Sequence, residues 1–272
     1  MPKKINEGLA ETEFKLKADY EVFRKYQSFQ ESQFPSKVDV LVEDVELYIG
    51  KHDFDELSRV ALKINDVWNA LNEMVTLGQL LNNRQQIFNQ PEIDTEPLNV
   101  LVTRLHPHHT LWTTASNFLK SKDDWIALPL SSVDMVVIVA EVNRCEGVLH
   151  DSRIHFNSHS EMMVLIEKIL VEVDAFGKIF DIMKALTNQN LDDDHWASLS
   201  EKTGISMTSA ISIELLLARG ILKHLDVVQK ISIEATREYE VKLEVEEMAR
   251  KRLEDEAIMK QKKALRPRRN DI

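Results

Sequence analysis

The sequence predicts an all-α fold, an elongated array of long antiparallel helices, and three observations carry that expectation. Only 7 of 272 residues are glycine, roughly half of an average share or less, so few positions are available for the φ > 0 turns on which β proteins depend. Apolar residues recur in steps of three and four over long stretches, the period of a helix with one buried face. Hydrophobic residues make up 43% and charged residues 29%, enough for a core beneath densely solvated outer faces.

Taken in chain order, residues 7–27 place Leu9, Phe14, Leu16, Tyr20, Phe23 and Tyr26 at helical spacings, and Pro35 is expected to interrupt that helix. Val38, Leu41, Val42, Val45, Tyr48 and Ile49 then form a second short helix closed at Gly50, with a strand as the competing reading. The longest stripe follows Asp53, a candidate N-cap, through Leu57, Val60, Ile64, Val67, Trp68, Leu71, Val75 and Leu81. If helical through Phe88, it would extend about 50 Å.

After the turn NQPEIDTEP, Asp94 or Thr95 is placed to cap a helix carrying Leu98, Leu101, Leu105, Leu111, Trp112, Ala115 and Phe118, which Pro107 should kink or split. Val133 to Leu149 give a further apolar face, and Ser158 with Glu161 has the spacing of a capping box before the helix from Met162 to Met183. Asp192 to Asp194 suit the positive end of a short helix that Gly204 should stop. A helix beginning near Ser209 should bend or break at Gly220, and the chain continues through Leu225, Val228, Ile231, Ala235, Tyr239, Leu243 and Met248. Three segments result: 1–50, an N-terminal helical segment; 51–250, the main helical domain; and 251–272, a charged tail whose basic cluster, Lys260 to Arg269, should fray past Pro267.

Composition narrows the chemistry. The net charge of −11 repels phosphate backbones and makes nucleic acid a poor partner. The single Cys145 rules out an internal disulfide framework and suits a reducing compartment, so the cytoplasm is the expected location. Neither a secretory signal nor an apolar run of about 18 residues occurs, which predicts a soluble chain with no membrane partner.

Candidate reactive groups weigh lightly. A P-loop needs GxxxxGK[ST], and the nearest groupings, EKTGISMTS and AFGKIF, lack its glycines and its spacing. His106, His108 and His109 are the most tempting metal ligands, but adjacent histidines point apart on a helix, and a solvated kink beside Pro107 accounts for them better. His150-Asp151 with His109 upstream loosely matches the H…HD…D pattern of helical metal phosphohydrolases, a cheap match at permissive spacing. His155 and His159 are separated by a stretch that reads as a loop. Cys145 falls on an apolar face, as core, and Trp68, Trp112, Trp125 and Trp196 read as helix-packing anchors. No catalytic, cofactor-binding or metal residue is expected.

Several phrases, taken in order, resemble the linker region of dynein heavy chains, axonemal ones above all: NNRQQIFNQPEIDTEPL, LHPHHTLW, KDDWIALPLSSVD, MKALTNQNLDDDHWASLSEKTG and LLARGILKHLDVVQKISIEATREYEVKLEVEEM. The most specific element is HW…L…TG, supplied by His195, Trp196, Leu199, Thr203 and Gly204 after Leu186 and Leu191, and the following helix supplies Ile231, Ala235, Glu238 and Glu244. The resemblance covers about residues 60–248. The tail departs from it, turning basic where related linkers continue with further helices.

The resemblance implies a mechanical linker, the N-terminal part of one and so a fragment or truncated chain, that arches over a ring of AAA modules and switches between bent and straight as the ring cycles. ATP and Mg would then belong to the AAA ring of the complete heavy chain and not to this segment. The implied partners are that ring, dynein intermediate and light chains and, indirectly, microtubules, with the cytoskeleton and ciliary axoneme as the location. Periodicity alone leaves a free-standing scaffold of spectrin or coiled-coil type as the alternative. Trp196 with Leu199 is expected to anchor the short helix, and Gly220 is the candidate bend.

Overall fold

The computed structural model describes the backbone of residues 2–264 and the side chains of residues 8–260. Eight α-helices occur among the described residues: α1 (Pro2–Ile49), α2 (Leu57–Ile87), α3 (Glu96–Ala127), α4 (Met135–His155), α5 (Ser160–Leu186), α6 (Asp193–Thr203), α7 (Ile213–Ala218) and α8 (Leu225–Ala264), with three short 3-10 turns between them. The fold is all-α; the one β-type pairing described is an isolated bridge between Pro129 and Ser212. Two compact units form, one from residues 1–119 and 143–170, the other from residues 120–142 and 171 onward. They are interleaved along the chain, and α3, α4 and α5 contribute to both.

In the first unit, α1 and α2 form an antiparallel hairpin, in which Tyr20 meets Phe88, Gln27 meets Leu81 and Phe34 meets Gly78. Leu57, Val60, Ile64, Val67, Leu71 and Leu81 are buried along α2 as their spacing requires, while Trp68 and Val75 flank the stripe, half-buried. At Gly78 a Cβ would lie 2.8 Å from Thr95 Cγ2 and 3.2 Å from the Phe34 ring, so glycine is what admits that close approach.

Both expected proline breaks are corrected. α1 runs unbroken through Pro35 and α3 through Pro107. A proline in a helix interior costs about 3 kcal/mol. Around Pro35 the buried side chains are Phe34, Leu41 and Val45; around Pro107 they are Leu105, Leu111 and Trp112. Each such side chain buried contributes about 1.5–3 kcal/mol, so packing outweighs the local penalty. The second short helix expected over 38–49 is the last part of α1.

Other ends also shift. Asp53 caps a 3-10 turn, Phe54–Glu56, ahead of α2. The carboxylate of Asp94, not Thr95, accepts the Glu96 N–H at the start of α3. The Ser158–Glu161 box does not form: α5 begins at Ser160, the Ser158 hydroxyl donates to Asn157, and Glu161 pairs with His52 at 3.3 Å.

In the second unit, Val173, Phe176, Ile182, Met183 and Leu186 of α5 share the core with Leu199, Ile213, Leu216, Ile221, Val228, Ile231 and Ala235. The loop at Leu130 is tied to the segment before α7 by Leu130 N–H to Ile211 O and Ser131 N–H to Ser209 O, each 2.9 Å. The helix expected near Ser209 starts at Ile213, capped by Ser212. The chain breaks at Gly220, whose φ of 81° is left-handed backbone that suits glycine. α8 then continues as helix through Ala264, exposed from 237 to 260; the fraying expected past Pro267 falls outside the described residues, as do Arg266, Pro267, Arg268 and Arg269.

Candidate functional site

Of the motif residues, His195, Trp196, Leu199 and Thr203 lie on α6 and Gly204 caps its end. The Asp192 carboxylate accepts the His195 backbone N–H at 3.0 Å, the N-cap bond of the helix. That bond, ahead of the His195 ring, holds the Asp192 carboxyl below its ordinary range. The His195 ring Nδ1 turns back on the same cap and lies near both the Asp192 carboxylate and the Asp192 N–H. One Nδ1 cannot donate to the first while accepting from the second; the shorter contact favours donation to the carboxylate.

The other ring nitrogen of His195 faces Glu238 of α8 at 3.5 Å. Two residues more than forty positions apart in the sequence are thus brought together, α6 lying against α8. An imidazole oriented by a carboxylate is half of a nucleophilic triad, but among the described residues its other nitrogen faces a second carboxylate, with which it pairs only when the ring is protonated. The arrangement bridges helices.

The remaining motif residues stop and seat α6. Leu199 is fully enclosed, whereas Trp196 is half-buried, so the deeper anchor is Leu199 and the expected role of Trp196 is reduced. The Thr203 hydroxyl donates to Leu199 O at 2.7 Å and accepts from Ile205 N–H at 3.2 Å, and Gly204 turns the chain at φ 70°. The Ser200 hydroxyl accepts the Met207 N–H at 3.0 Å, folding the exit segment back on the helix. Ile231 and Ala235 are buried on α8, while Glu244 is exposed.

Asn188, just before this motif, was not singled out by sequence reasoning. Its Nδ2 lies 2.8 Å from Ser232 O, 3.0 Å from Ser232 Oγ and 2.9 Å from Thr236 Oγ1, all on α8. A lone Asn beside a capping run gives no signal of that reach. Trp125 packs its ring 5.9 Å from that of Phe176 in the same unit. Trp112 is fully buried in the first unit, its indole N–H without a partner among the described residues.

The histidines of LHPHHT diverge, as expected for neighbours on a helix. His106 and His109 lie on the Trp68 ring, at centroid distances of 5.6 and 4.7 Å, and His109 Nε2 reaches Asn65 Oδ1 at 3.2 Å. His108 turns to the edge of Phe156 at 4.7 Å. The solvated kink expected there is corrected: burial first, then His155, His159 and Arg104, push the His108 imidazole down to about 4. His108 backs a cavity of about 500 Å³ that Lys51, His52, His159, Glu46 and Glu161 also line.

Among the described residues, no group of three or more His, Cys, Asp or Glu side chains is arranged to hold a metal ion. His150 and Asp151 are exposed on α4, and Cys145 is buried, in keeping with a packing role. Gly177 and Lys178 lie inside α5, where backbone N–H groups belong to the helix, and Gly204 is a helix cap. Neither is a phosphate-cradling loop. No described helix is long and apolar enough to cross a membrane.

The family profile "Dynein heavy chain, N-terminal region 2" matches residues 98–264. Dynein axonemal heavy chain 1 of Homo sapiens is 24% identical over 232 residues, 85% of this chain and 5% of the relative. Dynein axonemal heavy chain 3 of Mus musculus is 21% identical over 221 residues, 80% of this chain and 5% of the relative. The chain therefore spans about a twentieth of the length of these relatives.

Proposed function

Because the chain belongs to the family of the dynein heavy chain N-terminal region 2, we propose that it is the mechanical linker segment of an axonemal-type heavy chain, transmitting the ATP-driven change of an AAA ring to microtubule-based movement. The observation that carries this is the use made of the motif residues: His195, Leu199, Thr203 and Gly204 cap, seat and stop a helix and bridge it to α8. Long packed helices transmit force through close-packed cores that deform little.

On this reading the segment has no catalytic site. ATP and Mg act in the ring of the complete heavy chain, and the segment works against that ring, with intermediate and light chains as further partners and microtubules reached indirectly. The axonemal relatives support a place in the cytoskeleton of the cilium. Gly220, the break before α8, is the point at which flexing would cost least. The direct test is nucleotide turnover by the purified chain. The proposal expects no ATP hydrolysis above a buffer control and no change in melting temperature with Mg-ATP; turnover that tracks the protein through purification would overturn it.

A further inference from the structure

α1 has a second apolar face, which α2 leaves uncovered and the linker reading does not use. On it Val22, Tyr26, Phe29, Val40 and Leu47 are 70, 57, 62, 58 and 54% exposed. Gln33, Ser36 and Glu43, also exposed, fill the places between them, so the face advances in alternating steps of four and three from Val22 to Leu47. That is the heptad spacing of a helix-pairing seam. The seam runs about 38 Å and lies roughly a third of a turn from the side on which Gln27 and Phe34 meet α2. A groove of about 720 Å³ borders it, lined by Lys37, Val40 and Asp44 of α1 and by Glu73, Met74 and Leu77 of α2.

We propose that a second copy of this chain covers this face, its α1 antiparallel to the first about a two-fold axis level with Phe34 and Pro35. In that register the seam is complementary to its own reverse. Val22 meets Leu47 of the second copy, Phe29 meets Val40, Gln33 meets Ser36, and the Tyr26 hydroxyl faces the Glu43 carboxylate. Apolar positions fall on apolar ones and polar on polar, and the two-fold repeats each pairing.

The flanking positions agree. Lys25 falls beside Glu46 of the second copy, joining the pair that Glu46 makes with Arg104, while Lys37 faces Gln30, Asp39 faces Ser32 and Asp44 faces Phe23. No like charges oppose one another along the seam or these flanks. Sliding by one heptad sets Phe29 on Gln33 in one direction and Asp39 on Asp39 in the other. A parallel pairing sets Glu43 on Glu43 and Asp39 beside Asp44. An unrelated partner would give α1 no reason to match its own sequence reversed. Five exposed apolar side chains from each copy remove roughly 1,000 Å² from water, the lower end for a specific interface, so the dimer is weak.

The test is sedimentation of the full chain. Between about 1 and about 200 µM its mass should rise from 31.4 kDa towards twice that, with Kd on the order of 10 µM. Phe29→Glu combined with Val40→Glu brings carboxylates of both copies together at positions exposed in the single chain. The melting temperature should hold while Kd rises at least ~100-fold. Phe14→Glu, at a side chain 75% exposed but outside the seam, should leave Kd within about twofold. Orientation is read by mixing Val22→Cys chains with Leu47→Cys chains under mild oxidation: disulfide-linked dimers should form in the mixture and far less in either variant alone. A chain that stays monomeric at about 200 µM overturns the proposal and leaves the face to a different protein. Dimerisation untouched by the paired Phe29 and Val40 changes overturns the face, and efficient cross-linking of Val22→Cys chains alone overturns the antiparallel register.

Discussion

Lowering the pH from about 7.5 to 5.5 should weaken the chain through His108, and replacing His108 by Phe should remove that loss. The imidazole is held at about 4 in the folded chain, chiefly by burial, against an ordinary value of 6.5. The unfolded chain therefore takes up a proton below pH 6.5 that the folded chain refuses until about 4. The folded value is depressed for a base, so the stability is fully present above 6.5 and is lost as the pH falls towards 4. The loss amounts to about 1.4 kcal/mol by pH 5.5 and about 3 kcal/mol by pH 4. At neutral pH the substitution should be close to neutral or stabilising, because His108 Nδ1 is buried without a hydrogen-bond partner among the described residues and its ring already lies against Phe156. His109 is also depressed, by burial and then His106, and shifts the wild type and the variant alike. Urea unfolding of both proteins at the two pH values isolates the His108 share as a difference of differences. Equal losses in the wild type and His108→Phe would refute the reasoning.

Five further substitutions follow from the structure. Leu199→Ala should cost about 3 kcal/mol because the side chain is fully enclosed, and Trp196→Ala clearly less, read as the difference in urea midpoints. Asn188→Ala should cost about 1–2 kcal/mol by removing the amide that holds Ser232 and Thr236, and amide exchange in that stretch of α8 should speed up. Gly204→Ala should cost about 1 kcal/mol from its φ of 70° alone, since no atom lies near the added methyl. Pro35→Ala should stabilise the chain by about 1–3 kcal/mol, because an alanine restores a helical N–H inside an unbroken α1; a fall in melting temperature would argue for a helix end at that point.

The features legible in the sequence were those set by local period and by special residues. The α2 stripe from Leu57 to Leu81, the helix start at Asp192 to Asp194 and the stops at Gly204 and Gly220 each depend on residues within a few positions of one another. The prolines misled for the converse reason: Pro35 and Pro107 carry a local penalty, but the burial of Phe34, Leu105 and Trp112 that offsets it is decided by other helices. Ser158 and Glu161 had the spacing of a box, yet the helix begins between them and Glu161 turns to His52. At the site, the motif residues were visible, but the pairing of His195 with Glu238 and the reach of Asn188 to α8 needed the fold. The depression of His108 comes first from burial, then from His155 and His159, almost fifty residues away, and from Arg104, and no pattern around LHPHHT announces the burial.

The mechanical role is tested most directly in a complete heavy chain carrying this segment. Leu199→Ala combined with Asn188→Ala loosens the seating of α6 on α8 without touching any nucleotide-binding module. Microtubule gliding velocity and ATP hydrolysis are then measured on the same preparation. The account predicts that hydrolysis stays within about twofold of the parent while gliding slows several-fold, since force transmission is lost and chemistry is not. Gliding at the parent velocity, in a variant whose segment is shown by amide exchange to be loosened, would contradict it.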